Sequence, residues 1–427
     1  MTFLNANKRL VIIGLDGVPY SLVQELSVRG EMPNMFGLTG ESTFCSMKSS
    51  IPDISCVAWS SIMTGKNPGE HGIFGFMDMV PGSYNIYFPN YTNLSGIPFW
   101  NWRNGTQSVI INVPSTYPAS PLNGVLISGF VAPELDKAVW PPSLIPELKR
   151  LNYRVDVDSD QAHQSMELFI DNLNKTLAAR IDVYRHLWEK GEWDIFMLVF
   201  TGTDRLGHFL WEAYQDETHP YHKAFLHYFN AVDQAIGEIV WRMRPDDSLI
   251  VISDHGFESM KKTVYINSYL RKNGFLRLKR FPTTSYDNID GRALAFAMEP
   301  ARICVNTMSK YPRGNVKETD KELILTDLID LFGNLEIEGE KVIKRIYRKE
   351  EIYNGPFLDR AADLVLVPHS GFDLKARLHT EMLAEKTIFT GKHSQDNAFL
   401  LIKSPYRYNI PEDPSVVDVF NIVEGLR

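Results

Sequence analysis

Cysteine is scarce in this chain. It supplies three of 427 residues, Cys45, Cys56 and Cys304, and no CxxC pair. So sparse and odd a set excludes a disulfide framework and fits a reducing compartment, read here as the cytoplasm. Long hydrophobic runs are missing too. None approaches the roughly 20 apolar residues of a membrane span, so no membrane partner is expected. The polar start, 1–8, lacks the basic-then-apolar order of a secretory leader. Positive charge is not in excess: 44 Lys and Arg face 52 Asp and Glu, a net −8. A protein that follows a nucleic-acid duplex usually carries a basic stripe, so that class is set aside. A small phosphorylated substrate stays compatible, because bound cations reverse the local field. Internal repeats and low-complexity tracts are absent from the sequence.

Hydrophobic residues make up 44% of the chain, enough for a large core. Short apolar runs occur at 10–15, 108–113, 125–128, 195–200, 248–253, 364–367 and 398–402. Continuous Val/Ile/Leu runs of this length fit strands buried on both faces, as in a parallel sheet covered by helices. Helical periodicity between them, at 165–190 and 223–242, completes the alternation. The expected class is therefore α/β, a doubly wound, mostly parallel sheet. The length suggests either one large α/β domain over 1–427 with insertions or a core plus a cap. The stretch 273–320, rich in Arg, Lys, Pro and Gly, is a candidate lid or cap, or else an irregular connection.

Ligands of doubly wound sheets lie beyond the carboxyl ends of the strands. Three such ends carry acid here: Asp16 after 10–15, Asp204 after 195–200, and Asp254 with His255 after 248–253. Carboxylates gathered at one edge repel unless cations lie between them. His208 follows Asp204 by four residues, one helical turn, so both can grip one ion. His393 precedes the last apolar run. Asp and His donors suit zinc, and also manganese or iron. Taken singly, each has a plainer role: a helix cap for an Asp, a surface pair for Asp204 and His208, a structural imidazole for His393. Ser55 opens an expected helix ending at Thr64-Gly65. There it is either a simple N-cap or a nucleophile at the anion-favouring end of the helix dipole. His71, between Gly69 and Gly72, reads as part of a structural turn, and Trp59 and Phe74 as core.

The motifs taken together resemble the type I phosphodiesterase/nucleotide pyrophosphatase family of the alkaline phosphatase superfamily. They are Leu15-Asp16-Gly17, Pro52-x-x-Ser55 with Thr64-Gly65, and Asn67-Pro68-Gly69-Glu70-His71-Gly72-Ile73. Further along come Val113-Pro114-Ser115-Thr116-Tyr117-Pro118, Thr203-Asp204-x-x-x-His208, Ser253-Asp254-His255-Gly256-Phe257, Arg302-Ile303-Cys304-Val305-Asn306 and Gly391-x-His393. The resemblance covers most of the chain. It implies an alkaline phosphatase-like fold and two divalent ions, usually zinc. One ion is implied on Asp204, His208 and His393, the other on Asp16, Asp254 and His255. Ser55 is implied as the nucleophile, bridging toward the second ion and transiently phosphorylated. The chain departs from the pattern at three places. Ser55 stands where this branch more often has Thr. Ala58 stands where the nucleotide pyrophosphatases have a phosphoryl-contacting Asn, and Asn397 where relatives often have Gly.

The expected activity is cleavage of phosphodiester or pyrophosphate bonds in a small phosphorylated substrate, possibly a nucleotide. A phosphomonoesterase or phosphomutase using the same machinery is the alternative. A sulfatase needs a formylglycine motif ending in Arg, which Cys56-Val57-Ala58-Trp59 does not offer. An inactive metal-binding scaffold would not need the intact nucleophile and ligand set.

Overall fold

The computed structural model describes residues 8–427. Contacts group them into two compact units: 8–66 with 90–257 and 393–427, and 67–89 with 258–392. In sequence, the second unit therefore interrupts the first twice.

The first unit is built on an eight-stranded sheet. Its strands are β1 (Leu10–Leu15), β2 (Thr43–Met47), β3 (Ser108–Val113), β4 (Gly124–Ser128), β5 (Val139–Trp140), β6 (Ile195–Phe200), β7 (Ser248–Ile252) and β8 (Ala398–Lys403). They lie in the order β2-β8-β7-β1-β6-β3-β4-β5. The five inner strands β7-β1-β6-β3-β4 run parallel. β1, β3, β6 and β7 are buried along their whole length, which is why they read as unbroken apolar runs. The α/β, mostly parallel expectation holds. The run at 398–402 corrects it in part: β8 is antiparallel to both β2 and β7. Continuous hydrophobicity reports burial on two faces and carries no information on strand direction.

Four helices frame the strand ends of this sheet or carry residues discussed with them: α1 (Ser55–Thr64), α2 (Met166–Glu189), α3 (Gly202–Gln215) and α4 (His222–Arg242). The expected helices at 165–190 and 223–242 are α2 and α4 to within a residue at each end. Ser165 caps α2, its hydroxyl accepting from the Leu168 N–H at 3.2 Å. All ten residues of α1 are buried. Its Trp59 lies across Gly14 of β1 so closely that a Cβ there would stand 2.5 Å from the indole ring. Only glycine lets the helix approach the strand to this depth.

The second unit has its own core, with an antiparallel sheet of Ala295–Met298, Arg302–Val305, Leu364–Pro368 and Ile343–Arg348 packed near the helix Lys321–Gly333. The run at 364–367 belongs here, not to the parallel sheet, a second correction of the strand reading. The stretch 273–320, expected as a lid or cap, lies within this unit, which extends beyond it on both sides.

Candidate active site

The carboxyl ends of β1, β6 and β7 point the same way, because the three strands are parallel neighbours. Each delivers its acid immediately after its last residues. Asp16 follows β1, and its backbone N–H donates to the Phe200 carbonyl at 3.1 Å. Asp204 lies in the first turn of α3, just after β6. Asp254 and His255 follow β7. The chain turns at Gly17 with a φ of +67°, which only glycine adopts without strain. The Gly17 N–H then donates to Asp254 Oδ1 at 3.0 Å, tying the first acid to the third.

Ser55 is the first residue of α1. The cap position is taken by Ile54 in an extended conformation, and no side chain caps the helix. The hydroxyl is thus not spent on its own helix. It donates to Asp16 Oδ1 at 3.2 Å and also lies 3.2 Å from His255 Nε2.

The imidazoles are aimed by backbone carbonyls. His255 Nδ1 is 3.0 Å from the Gly256 carbonyl, and His393 Nδ1 is 2.8 Å from the Asp53 carbonyl. A carbonyl only accepts, so Nδ1 carries the proton in both rings and Nε2 turns an electron pair inward. His393 Nε2 lies 3.1 Å from Asp204 Oδ1 and 3.0 Å from His208 Nε2, and the latter is 3.4 Å from the same oxygen. His255 Nε2 lies 3.4 Å from Asp254 Oδ2, 3.7 Å from Asp16 Oδ1 and 3.9 Å from Asp204 Oδ1. The ligand atoms of Asp16, Asp254 and His255 fall within 4.8 Å of one another, and so do those of Asp204, His255 and His393. All seven residues expected at the site come together, with Ser55 touching both Asp16 and His255.

Three features of this arrangement fit divalent cations. First, donors about 2.0–2.1 Å from a tetrahedral ion stand roughly 3.3 Å from each other; the Asp204, His208 and His393 atoms are 3.0–3.4 Å apart. Second, Asp16 Oδ2 and Asp254 Oδ2 are buried with no hydrogen-bond partner. Such groups are costly unless something else satisfies them. Third, the acids disturb one another. Burial, then Asp254 and Asp204, hold Asp16 well above the usual carboxylate range. Burial pushes Asp254 up to about 7, helped by Asp204. Burial also pushes His255 down to about 3, with His393 adding to the effect. Asp204 goes the other way: burial would raise it, but His208, His393 and Arg205 together hold it below the usual range. Burial would lower His393, yet its bond to Asp204 raises it. Two ions placed among these groups would remove the repulsion that lifts Asp16 and Asp254.

Several contributors escaped sequence reasoning. The Thr203 hydroxyl donates to the Asp16 carbonyl at 2.6 Å, locking α3 to β1. The Asp53 carbonyl has no signature in any motif. Arg205, beside Asp204, donates to its Oδ2 at 3.1 Å. Its position directly after a candidate ligand was the one signal in the sequence. His71 is fully buried, and its Nδ1 accepts from the Ile73 N–H at 3.1 Å, as expected of a structural turn.

Solved structures share this fold. Phosphonoacetate hydrolase from Sinorhizobium meliloti, in complex with phosphonoformate, superimposes with a TM-score of 0.65 at 17% identity, covering 99% of this chain and 96% of that one. Murine ectonucleotide pyrophosphatase/phosphodiesterase 5 gives 0.56 at 14% identity, covering 97% and 94%. An inactive variant of the murine protein in complex with AMP gives 0.57 at 14% identity, covering 98% and 94%. At these identities the likeness speaks for the fold. A search of curated protein sequences finds no match. The match that decides the family is to the sequence pattern itself, which runs from residue 10 to residue 396 and so takes in Asp16, Ser55, Asp204, His208, Asp254, His255 and His393: this chain belongs to the type I phosphodiesterase/nucleotide pyrophosphatase family.

Proposed function

We propose that this protein is a metal-dependent phosphoric ester hydrolase that works through a phosphoseryl intermediate on Ser55, acting on phosphodiester or nucleotide pyrophosphate bonds of a small substrate. The observation that carries the reading is the place of the Ser55 hydroxyl. It is free of capping duty, stands at the start of a buried helix, and lies 3.2 Å from both Asp16 Oδ1 and His255 Nε2.

Asp204, His208 and His393 would hold one divalent ion, and Asp16, Asp254 and His255 the other, with zinc the best fit to these donors and manganese or iron the alternatives. When bound, such ions supply Lewis acidity that offsets phosphoryl charge and lowers the pKa of a nearby hydroxyl. Asp16 orients Ser55 by accepting its hydrogen bond, so the remaining electron pairs of Oγ face away from that carboxylate. The N-terminal end of α1 favours the negative charge of a phosphoryl group brought to Ser55. The backbone carbonyls of Gly256 and Asp53 keep His255 and His393 in the one tautomer that can donate electrons inward. Ser55 Oγ gives up its proton to water as it attacks phosphorus; the bond from phosphorus to the alcohol or phosphate leaving group breaks, and that group departs taking up a proton. Water then attacks the phosphoseryl ester, the bond from phosphorus to Oγ breaks, the phosphoryl group leaves bearing the water oxygen, and Oγ regains a proton.

Incubation with bis-para-nitrophenyl phosphate, para-nitrophenyl phosphate and a nucleoside 5′-ester after metal loading tests this reading. Diester or nucleotide-ester turnover that disappears in Ser55→Ala is expected. Turnover of the monoester alone would reassign the protein as a phosphomonoesterase or phosphomutase, and turnover unchanged in Ser55→Ala would end the proposal. The reading takes the whole chain as one catalytic domain carrying the second unit as its insertion, in a cytoplasmic setting. Among the described residues no helix is long and apolar enough to cross a membrane.

A further inference from the structure

Neighbouring residues on a helix point about 100° apart and do not ordinarily meet. Asp204 and Arg205 are such neighbours in α3, yet Arg205 Nη1 donates to Asp204 Oδ2 at 3.1 Å. Something outside the helix must bend the guanidinium back. That anchor is Asp156, whose Oδ2 accepts from Arg205 Nη2 at 2.7 Å and from Nε at 3.1 Å. The Phe130 ring supports the guanidinium from one face, 4.6 Å from its centroid. The loop that carries Asp156 is itself fixed. Arg180, buried beneath it, donates to the Val155 carbonyl at 2.6 Å and to the Arg154 carbonyl at 3.3 Å. The same guanidinium donates to Thr201 Oγ1 at 3.1 Å, the residue at the cap position of α3. Loop and helix start thus share one anchor. Among the described residues no carboxylate lies within ion-pair distance of Arg180, so its role here is to hold carbonyls and the Thr201 hydroxyl.

The consequence falls on Asp204. Its Oδ1 faces His208 and His393, while its Oδ2 is held by Arg205. We propose that Asp156 and Arg205 form a clamp that restricts Asp204 to single-oxygen donation, and that this clamp sets the affinity of the Asp204–His208–His393 group for its ion. The inference rests on the two-ion reading of the proposed function. In the other group no arginine plays this part: Asp254 Oδ1 accepts from the Gly17 N–H and Asp16 Oδ1 from Ser55, while Asp16 Oδ2 and Asp254 Oδ2 are buried without hydrogen-bond partners. The clamp therefore acts directly on one ion of the pair. Arg205 and Asp156 are positioning residues, since they act through Asp204. Lysine cannot replace Arg205 fully, because a single ammonium does not bridge two carboxylates with a planar fork of donors.

The test is the number of ions retained per chain, read by mass spectrometry after equilibration with graded concentrations of chelator and zinc as the probe. The wild-type chain is expected to hold two. Arg205→Gln and Asp156→Asn should each weaken one ion by about 10–100-fold and leave the other unchanged, the usual size of an outer-shell loss. Arg205→Lys should recover part of it. Adding Asp254→Asn to Arg205→Gln should release the remaining ion, whereas adding His208→Ala should not. Two ions of wild-type affinity in both single variants would overturn the clamp. So would equal weakening of both ions, or a loss matched by a lower Tm of the stripped protein, since either marks a general structural defect. A wild-type chain that binds no ion would overturn the hydrolase reading and the clamp with it.

Discussion

At the scale of residues, the site separates side chains that would do chemistry from those that strain the fold. Ser55→Ala removes one oxygen from a position that caps nothing. It should therefore lower kcat by about three orders of magnitude while Tm stays within a degree or two, measured on the same metal-loaded sample. Asp254 is the opposite case. Burial holds its carboxyl at about 7, so at neutral pH an ionised Asp254 is costly in the stripped protein. Asp254→Asn should stabilise the chelator-treated chain by about 1–3 kcal/mol and abolish retention of one ion, as read by denaturant unfolding and metal analysis. Asp16, Asp204, Asp254, His255 and His208 were legible in the sequence because each follows an apolar run or repeats at one helical turn, and His393 because it stands in Gly391-x-His393 just before one. Arg205, Asp156 and the carbonyls of Asp53 and Gly256 were not. A side chain that turns back on its own helix, or a carbonyl that orients a ring, depends on partners far off in the chain.

At the scale of elements, the depth of α1 decides where Ser55 stands. The indole of Trp59 occupies the space above Gly14, and a methyl group there would stand 2.5 Å from it. Gly14→Ala should push α1 outward, costing about 1–3 kcal/mol of stability. It should also cut turnover more than it weakens metal binding, because Ser55 moves while Asp16 stays at the end of β1. Unfolding curves and metal stoichiometry on one preparation would check both halves. The apolar runs marked the strands well, since buried parallel strands leave no polar residue to break them. They failed on direction for β8 and on membership for Leu364–Pro368, which pairs in the second unit's antiparallel sheet. Neither register nor partner is encoded in the hydrophobicity of one strand.

At the scale of the whole molecule, the site ties stability to pH, and the proposed ions would tie it to metal as well. Above the ordinary His value of 6.5, the site of the stripped protein holds two groups above their unfolded values, Asp254, pushed up to about 7 by burial, and His393, raised by its bond to Asp204. There the folded state binds more protons than the unfolded one, so its stability falls as pH rises. Below 6.5, His255, held down near 3, works in the opposite sense, because the unfolded chain takes up a proton that the folded one refuses. The stripped protein should thus lose Tm from about pH 6.5 to pH 8, while the metal-loaded protein changes little over that range. A Tm gap that narrows with rising pH would contradict this.

The sheet order adds a constraint in time. β8, from the last tenth of the chain, is inserted between β2 and β7, and His393 shortly precedes it. A nascent chain that has already emerged through β7 still has a gap in its sheet and one imidazole too few. If the proposed ions bind, their capture is in this sense a closing act of biosynthesis, and polypeptides released early have no means of imitating the finished chain.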